Sequence, residues 1–588
     1  MKAKFPELLK LREAIYSKEF RDVISKVMGV DDLTDRVDCS CNAYTQGCHL
    51  LCHDDVIGTR RISYIIYLTD PDEEWKEEDG GALELYPIDE ADAMVTSATS
   101  APCSSTAVSQ GIPLPVPTRK ILPTFNSMVL FKVQPGRSYH SVQEVYTEEN
   151  PRLSISGWFH GLTPPVGSDL ASLKQIMTKG DNTTEFIAFH ENSAYCGKDT
   201  KKSKKSIKPK GIGGSDKERP KCTIISPDDL ALLSSWINPV YLQDTAIKKI
   251  NKQFCNESFL QLKDFVVKDR QEELSRLMKA ADVLDRVGNG RPPMSYDVGK
   301  GTRWRLVGPP HKRRHLVLQE KDDEDEKDKT SGVKRSYRSS SSLSPSAHPS
   351  DVVGDKMLDV KNCLFTSGAF SRFLEKLTSL RPTGYRHEIR RFRPGLDYTV
   401  AHYGAMTKVP RLDATLCFVD DMGDESPSTE QTKHLSKHDE DDEDDEDDDG
   451  EDEDLGGLWD GGDVGAFECY VSADNEGDAE DLEASEVFER ERDGGADDAD
   501  DDDDDDDDEQ QDGDNKDNND DQLLSVTPGC NVLSLVMRNE NIMRFVKYVG
   551  ANAPGSRWDI AMDYAIVNNN NDDDDDDDDE SSSDTSIN

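Results

Sequence analysis

Two histidines and an aspartate are the residues of this sequence best suited to hold a metal ion. His53 and Asp55 are separated by one residue at the edge of a β-like run, and alternate residues of a strand point to the same face. His140 follows another β-like run, 128–133, and a Pro-Gly turn, so a folded sheet would return it to the first pair. Two imidazoles and one carboxylate form the facial triad of non-haem iron(II) oxygenases. The His-x-Asp pair alone is a weak signal, because a surface acidic turn with a chance histidine has the same pattern.

A second candidate group follows soon after His140. Arg152 and Ser154 fall on one face of a β-like run that continues to Phe159. A guanidinium presents a planar pair of donors that matches a carboxylate, and a neighbouring hydroxyl adds another donor. The pair could therefore anchor the carboxylate of a co-substrate inside an apolar barrel. The alternative is an arginine on a solvent-facing strand edge.

The elements that must position these residues are predicted to be one helix and a series of short strands. Apolar residues recur at helical spacing in 6–27. β-branched and aromatic residues, separated by turn residues, then mark four strands at 62–68, 81–86, 127–133 and 153–160. Such short strands predict a sandwich or jelly roll, so the fold class is mainly β with flanking helices. The Ser-, Ala- and Pro-rich stretch 91–117 is predicted to be a loop insert.

A second folded region is predicted after a basic, polar linker at 166–222. Helical periodicity predicts two helices, at 230–240 and 247–265. β-like segments follow at 398–403, 414–419, 532–535 and 545–549. Charged or Ser-rich sequence predicts disordered inserts at 321–350, 422–454 and 476–520, and a disordered acidic tail at 567–588. The predicted domains are therefore 1–165 and 223–566.

The charge of the chain is strongly negative. Its 588 residues include 70 Lys and Arg against 119 Asp and Glu, a formal net charge of −49. Much of the excess lies in runs that repel themselves and bury little apolar surface, so we interpret them as solvated segments. An alternative is that they bind basic proteins, which would make the chain a non-enzymatic acidic scaffold or regulator. So negative a field gives little support to direct nucleic-acid binding.

Signals of location and of other metals are weak. Neither a secretory signal nor an apolar stretch of about eighteen residues occurs, and we expect a soluble intracellular protein without a membrane partner. The basic patch 201–210 suits either nuclear import or a plain linker, so both nucleus and cytoplasm are expected locations. The twelve scattered cysteines predict reduced thiols. Zinc binding is an alternative for four of them, although their spacing is poor: Cys39, Cys41, Cys48 and Cys52.

Several stretches of the sequence are similar to one family. In the first half they are 44–55 (YTQGCHLLCHDD), 60–68, 80–86 and 152–161 (RLSISGWFHG). In the second half they are 233–242, 308–313, 528–533, 544–549 and 554–558. These stretches resemble the eukaryotic iron(II)- and 2-oxoglutarate-dependent prolyl hydroxylases that modify a ribosomal protein, a family that includes yeast translation-termination-associated and fission-yeast oxygen-regulation proteins. The resemblance implies two double-stranded β-helix (jelly-roll) domains, the first catalytic and the second degenerate.

The resemblance also implies cofactors and a substrate. The triad described above would bind iron(II), and 2-oxoglutarate, dioxygen and L-ascorbate would take part in the reaction. Oxidative decarboxylation of 2-oxoglutarate would be coupled to hydroxylation of a prolyl residue in the decoding-centre protein of the small ribosomal subunit. The enzyme would thereby affect translation termination and accuracy and the response to oxygen. Which ring carbon is hydroxylated, and whether once or twice, stays open.

Four residues are expected to bind the co-substrate. The resemblance implies that Arg152 and Tyr67 bind the distal carboxylate of 2-oxoglutarate and that Tyr44 lines the same pocket. Ser154 would add a donor beside Arg152. On the residues alone, Tyr67 could equally be a core aromatic on a β-branched strand.

Two features depart from the family's pattern. The family carries further helical and strand-forming sequence before the point at which this chain begins, and the insert 91–117 is longer than the family requires. In the second half, the residue two after His402 is Gly404, where a carboxylate would be needed. This predicts a decayed metal site and a role for the second domain in partner binding or as a scaffold.

Overall fold

The computed structural model of the chain describes residues 5–89, 111–168, 171–177, 186–189, 206–207, 224–320, 348–406, 409–421, 459, 464–472 and 524–568. The predicted inserts 422–454 and 476–520 lie outside this part of the chain. None of the helices within it is long and apolar enough to cross a membrane.

The first domain is a jelly roll built from two sheets. In chain order its strands are Leu33–Val37 (β1), Ser40–Tyr44 (β2), Leu50–His53 (β3), Arg60–Tyr67 (β4), Leu83–Leu85 (β5), Ile88–Asp89 (β6), Ile112–Pro113 (β7), Arg119–Ile121 (β8), Ser127–Lys132 (β9), His140–Val142 (β10) and Arg152–Gly161 (β11). One sheet has the order β1-β11-β4-β9, with β2 also paired to β11, and the other has the order β3-β10-β5-β8. β6 pairs with β7.

Two helices pack on the first of these sheets: Pro6–Tyr16 (α1) and Lys18–Met28 (α2). Their buried residues join Ile62 and Tyr64 of β4 in one apolar cluster. The single helix predicted at 6–27 was wrong at Ser17, which is extended and whose hydroxyl accepts a hydrogen bond from the Phe20 N–H. Ser17 therefore ends the first helix and caps the second.

The predicted basic polar linker 166–222 contains three short elements in the residues that the structure describes. Its elements are Ser172–Met177 (α3), Phe186–Ile187 (β12) and Ser206–Ile207 (β13). Asp54 accepts hydrogen bonds from the main-chain N–H and the hydroxyl of Ser172, at 3.0 and 2.8 Å. These bonds fix the start of α3 against the first domain.

The second domain is a larger jelly roll with helices packed on its main sheet. Its helices are Pro227–Ser234 (α4), Asp244–Glu257 (α5), Lys268–Asp285 (α6), Pro349–Val360 (α7) and Gly368–Thr378 (α8). Its strands are Phe259–Leu262 (β14), Trp304–Val307 (β15), Arg313–Leu318 (β16), Leu380–Phe392 (β17), Tyr398–Thr399 (β18), Arg411–Phe418 (β19), Glu468–Ser472 (β20), Leu524–Val526 (β21), Val532–Arg538 (β22), Ile542–Val546 (β23) and Arg557–Asn568 (β24). The main sheet has the order β13-β12-β17-β24-β19-β22-β14, and a smaller one has the order β21-β20-β23. The predicted fold class, mainly β with two jelly rolls and flanking helices, is thus confirmed.

Strand pairing determines the conformation of one segment that was predicted to be helical. The helix predicted at 247–265 is instead α5 followed by the strand β14. Ser258 takes a left-handed conformation, with φ of 58°, and ends the helix. Leu260 and Leu262 are buried where β14 pairs with β22. An apolar residue at every second position suits a strand as well as a short helical face, so the sequence did not distinguish them.

The edges of two predicted inserts and of the predicted tail were also placed wrongly. The insert 91–117 ends in β7, and the insert 321–350 overlaps the start of α7. Pro349 stands at the first position of that helix, and the His348 side chain caps it by accepting from the Ser350 N–H. The tail 567–588 begins within β24, where Val567 pairs with Arg381.

The two domains meet at the back of the sheet that contains β10. Glu144, just after β10, is 2% exposed. Both of its carboxylate oxygens accept from the Ala551 N–H at 3.0 Å, and one accepts from the Tyr548 hydroxyl at 3.2 Å. Burial raises the pKa of Glu144 to about 8, although these hydrogen bonds act in the opposite direction.

Glu144 is expected to make the folded chain less stable as the pH rises. Between its ordinary pKa of 4.5 and its folded pKa of about 8, the folded chain keeps a proton that the unfolded chain has released. The stabilisation is therefore fully present below the lower value and lost by the upper one, and each unit of pKa shift corresponds to about 1.4 kcal/mol. Glu144→Gln should flatten the dependence of the melting temperature on pH between these values. The exposed change Glu7→Gln should leave it as in the wild type, and parallel curves for all three proteins would contradict the assignment.

Candidate metal centre and co-substrate pocket

The structure brings the three predicted metal ligands together. β3 and β10 are antiparallel neighbours, and His53 lies directly opposite His140 in their register. Asp55 follows β3 with φ of 60°, a conformation that turns its carboxylate back between the two imidazoles. Its oxygens lie 3.1 Å from His53 Nε2 and 3.3 Å from His140 Nε2. The three ligand atoms lie within 4.8 Å of one another, a spacing that suits one metal ion.

Hydrogen bonds orient each of these side chains. His53 Nδ1 lies 2.7 Å from the Leu51 carbonyl oxygen, and His140 Nδ1 lies 2.8 Å from the Ser138 carbonyl oxygen. A carbonyl oxygen can only accept, so Nδ1 carries the proton and Nε2 is free to bind a metal. Burial alone would raise the pKa of Asp55, but in the metal-free chain the two histidines, when protonated at Nε2, outweigh it and hold the pKa well below its usual range. The carboxylate is therefore charged, as metal binding requires.

Ser63 of β4 is a member of the site that the sequence analysis missed. Its hydroxyl donates to Asp55 Oδ2 at 2.7 Å, and it is buried. Ser63 and Tyr67 lie on the same face of β4, because residues two and four apart in a strand share a face. This alternation was the signal in the sequence that could have identified Ser63.

Arg152 and Tyr67 form a buried pocket of donors beside the triad. Arg152 Nε donates to the Gly81 carbonyl at 2.7 Å, and its Nη1 lies 3.5 Å from Ser154 Oγ. Neither Arg152 Nη2 nor the Tyr67 hydroxyl makes a hydrogen bond of good geometry within the described residues. The Arg152 guanidinium lies 5.2 Å from the centre of the Tyr44 ring and 5.1 Å from that of Tyr67. All four predicted co-substrate residues are thus adjacent, and a carboxylate would give the two buried donors hydrogen bonds of good geometry.

Gly81 allows the close approach of Arg152. Its φ is 65°, and a Cβ atom there would lie 2.9 Å from Arg152 Cδ. Any larger residue would displace the guanidinium from the Gly81 carbonyl. The requirement for glycine at this position was not identified from the sequence.

Two aromatic residues border the triad on the inner face of the first sheet. Trp158 and Phe131 lie on either side of Ser63 in the register of β11, β4 and β9. The Phe131 ring is 4.7 Å from the His140 ring. Trp158 is partly exposed, yet its Nε1 is buried without a hydrogen-bond partner in the described part of the chain. Both were missed as site residues because nothing in the sequence shows that these strands are neighbours.

The two other candidate metal sites do not form. After His402 the chain enters a short 3-10 helix, Tyr403–Ala405, and no carboxylate follows at the ligand position. Within the described residues, His53, Asp55 and His140 are the only group of three or more His, Cys, Asp or Glu residues placed to hold one ion. The four cysteines considered for zinc are free and make no such group.

Comparison with known proteins gives matches along both domains. Residues 39–160 match the 2OG-Fe(II) oxygenase superfamily, and residues 228–574 match the family described as oxoglutarate and iron-dependent oxygenase degradation C-term. The prolyl 3,4-dihydroxylase OGFOD1 of Ostreococcus tauri is 32% identical over 564 residues, which cover 95% of this chain and 84% of that protein. The prolyl 3-hydroxylase OGFOD1 of Xenopus laevis is 29% identical over 304 residues, which cover 51% of this chain and 44% of that protein.

A solved structure is also similar in part. The prolyl 4-hydroxylase of Pseudomonas putida is 22% identical over 24% of this chain and 60% of its own, with a TM-score of 0.17. So low a score carries no argument about the whole fold.

The jelly roll, the triad and the matches define an iron(II)- and 2-oxoglutarate-dependent dioxygenase. The residues present fit both groups, because two imidazoles and a carboxylate suit iron(II), and unpartnered buried donors suit a carboxylate. More narrowly, the chain belongs to the family of two-domain prolyl hydroxylases that includes the Ostreococcus tauri protein. The individual roles of the site residues remain predictions that mutation can test.

Tyr67→Phe is expected to weaken 2-oxoglutarate binding. The change removes one donor to the carboxylate and leaves the ring in place, so the KM for 2-oxoglutarate should rise about tenfold, which corresponds to about 1.4 kcal/mol. Succinate formation at varied 2-oxoglutarate measures this. Tyr64→Phe is the matched control, because Tyr64 is buried on the same strand and its hydroxyl donates to the Asp38 carbonyl away from the pocket. Equal KM values for 2-oxoglutarate in the two variants would show that the Tyr67 hydroxyl does not bind its carboxylate.

Ser63→Ala is expected to weaken metal binding and not 2-oxoglutarate binding. Loss of the hydrogen bond to Asp55 frees the carboxylate to rotate, and outer-shell changes of this kind typically cost about 10- to 100-fold in metal affinity or activity. A calorimetric titration with Mn(II) measures the metal affinity. Ser127→Ala, on the neighbouring strand β9, is the control, since its hydroxyl donates to the Thr124 carbonyl at the surface. An unchanged affinity in Ser63→Ala would contradict a role for this hydroxyl.

Proposed function

We propose that the chain hydroxylates a prolyl residue in the decoding-centre protein of the small ribosomal subunit and thereby affects translation termination and accuracy. Membership of the prolyl hydroxylase family supports a prolyl substrate, and the resemblance of both halves to enzymes that modify a ribosomal protein supports this particular class. The observation that carries the chemistry is the triad beside the unpartnered donors of Arg152 and Tyr67. One site thus holds the metal and the co-substrate next to each other.

The residues of the chain bind and orient the reactants. When bound, iron(II) would supply the chemistry by which O2 oxidises both 2-oxoglutarate, to succinate and carbon dioxide, and the prolyl residue, with one oxygen atom of O2 entering succinate and the other entering the new hydroxyl group. Arg152 and Tyr67 fix the distal carboxylate, which sets the distance between the keto acid and the triad. The buried surroundings of these donors exclude water and so strengthen their interaction with the carboxylate.

The substrate is proposed to approach along Phe131. Phe131 is partly exposed, its ring lies 4.7 Å from the His140 ring, and it can present aromatic surface to a prolyl ring. A peptide is thus a better fit than a small hydrophilic molecule.

Three further parts of the proposal rest on the sequence. L-ascorbate is expected to support turnover by keeping iron reduced. The basic patch 201–210, of which the structure describes only 206–207, supports a nuclear as well as a cytoplasmic location. The acidic runs are proposed to be solvated segments, and a role in attracting a basic substrate would appear as a steep dependence of substrate binding on salt.

The decisive experiment measures peptide hydroxylation. The full chain with iron(II), 2-oxoglutarate and ascorbate should form succinate faster when given a proline-containing peptide of the ribosomal protein, and mass spectrometry should find one or two added oxygen atoms on the proline. The same peptide with alanine for the proline should give neither. His53→Ala should abolish both signals, whereas His402→Ala, in the second domain, should retain them.

Two results would count against the proposal. Turnover of 2-oxoglutarate that the ribosomal peptide does not stimulate would support the dioxygenase activity but contradict the proposed ribosomal substrate. A folded, iron-loaded chain that forms no succinate would favour the acidic-scaffold alternative.

A further inference from the structure

The two residues that flank His140 in the sequence point away from the metal centre and into the second domain. Successive residues of a strand face opposite sides, so Tyr139 and Ser141 lie on the back of the sheet. They are 1% and 6% exposed. The Tyr139 ring stacks on the His311 ring of the second domain, with centroids 5.3 Å apart. The second domain therefore contacts the strand that carries one candidate iron ligand on the face opposite the metal centre.

Ser141 belongs to a buried chain of hydrogen bonds that ends in the second domain. Its hydroxyl donates at 3.0 Å to Glu84 of β5, the residue directly opposite it in the sheet. The same carboxylate accepts from the Tyr296 hydroxyl of the second domain at 2.6 Å. Glu84 is 1% exposed, so it depends on these donors and on Lys120, whose Nζ is 3.8 Å away. Removal of one donor leaves a buried charge less well compensated.

Arg314 makes a second connection between the same elements. Its Nη1 donates at 2.9 Å to the Tyr86 hydroxyl, which lies 3.1 Å from Ser141 Oγ. Its Nε donates to the Leu396 carbonyl at 2.7 Å, and its guanidinium stacks on the Tyr296 ring at 4.6 Å. Arg314 and Tyr296 therefore fix each other, and together they hold the polar groups behind β10.

The other ligand strand is contacted in the same way. The His49 ring, just before β3, stacks on the Tyr548 ring at 3.9 Å. Tyr548 also donates to Glu144, just after β10. The second domain thus touches both strands whose pairing places His53 opposite His140.

We propose that Tyr296 is a positioning residue of the metal centre. Its hydrogen bond to Glu84 fixes Ser141 and, through the main chain, the direction in which His140 points. The second domain then supports the catalytic domain directly, by holding the ligand strands in the geometry that binds metal. This inference rests on His140 being a ligand, so the experiment tests both statements separately.

The test compares metal binding in full-length variants. Tyr296→Phe should raise the dissociation constant for Mn(II), measured by calorimetry, about tenfold, the lower end of the range for outer-shell changes. In succinate formation the iron concentration for half-saturation should rise by a similar factor, while kcat at saturating iron stays within about twofold of the wild type. Ser141→Ala should have a similar effect. The double variant should bind Mn(II) no more weakly than the weaker single variant, because both changes act through Glu84.

Tyr564→Phe is the matched control for stability. Tyr564 is buried in the second domain away from the interface, and its hydroxyl donates to the Phe365 carbonyl at 3.0 Å. It should lower the melting temperature without changing Mn(II) affinity. If Tyr296→Phe behaves like Tyr564→Phe, the hydroxyl only stabilises the interface and the proposal fails. If His140→Ala binds Mn(II) as well as the wild type, the ligand assignment itself fails.

Discussion

The antiparallel pairing of β3 with β10 is the constraint on which the site depends. It places His53 opposite His140, residues that are far apart in the sequence. A slip of one residue would turn one imidazole to the other face of the sheet, because side chains alternate along a strand. Asp55 then completes the triad only by adopting a left-handed backbone that is uncommon for residues other than glycine, although aspartate adopts it more readily than most. Such strain is typical of functional sites, where the surrounding structure holds it in place.

The candidate co-substrate pocket also contains groups that lower the stability of the folded chain but favour binding. Arg152 Nη2 and the Tyr67 hydroxyl are buried without good partners in the described part of the chain. Each such group costs about 1–3 kcal/mol relative to a satisfied one. Binding of a carboxylate would recover this free energy. The unsatisfied donors therefore favour 2-oxoglutarate over an apolar molecule of the same size.

The two jelly rolls share an architecture but have different interiors. The interior of the first contains the predicted metal ligands and the buried donors described above. In the second, buried ion pairs fill the inside of the barrel, and the described members include Arg390 with Asp559 at 2.6 Å and Arg538 with Asp413 at 3.0 Å. Buried charges of this kind are tolerated only when they are paired. The second barrel is thus occupied by its own side chains, and its contact with the first takes place on the outside, through Glu84 and Glu144.

The sequence by itself determined the fold class, the family and the residue types of the site. Arg152-x-Ser154 could be found because alternate residues of a strand share a face, and both residues lie in β11. The same argument led to His53-x-Asp55, but Asp55 lies after β3 and reaches His53 through its left-handed backbone. Local patterns also predicted β4, β5, β9 and β11, whose β-branched and aromatic residues are dense enough to be distinctive. The short strands β3 and β10, which carry the ligands, were not predicted as strands, because three or four residues are too few to show a period.

Only the tertiary structure decided which side chains surround the triad. Ser63, Phe131 and Trp158 belong to three different strands, and their neighbourhood follows from sheet order and register, which no local pattern contains. The strand β14 was mistaken for helix because pairing with β22, not its own period, determines its conformation. Glu84 and Tyr296 meet for the same reason: a hydrogen bond between two domains depends on how both fold and pack, and the sequence specifies it only through the complete structure.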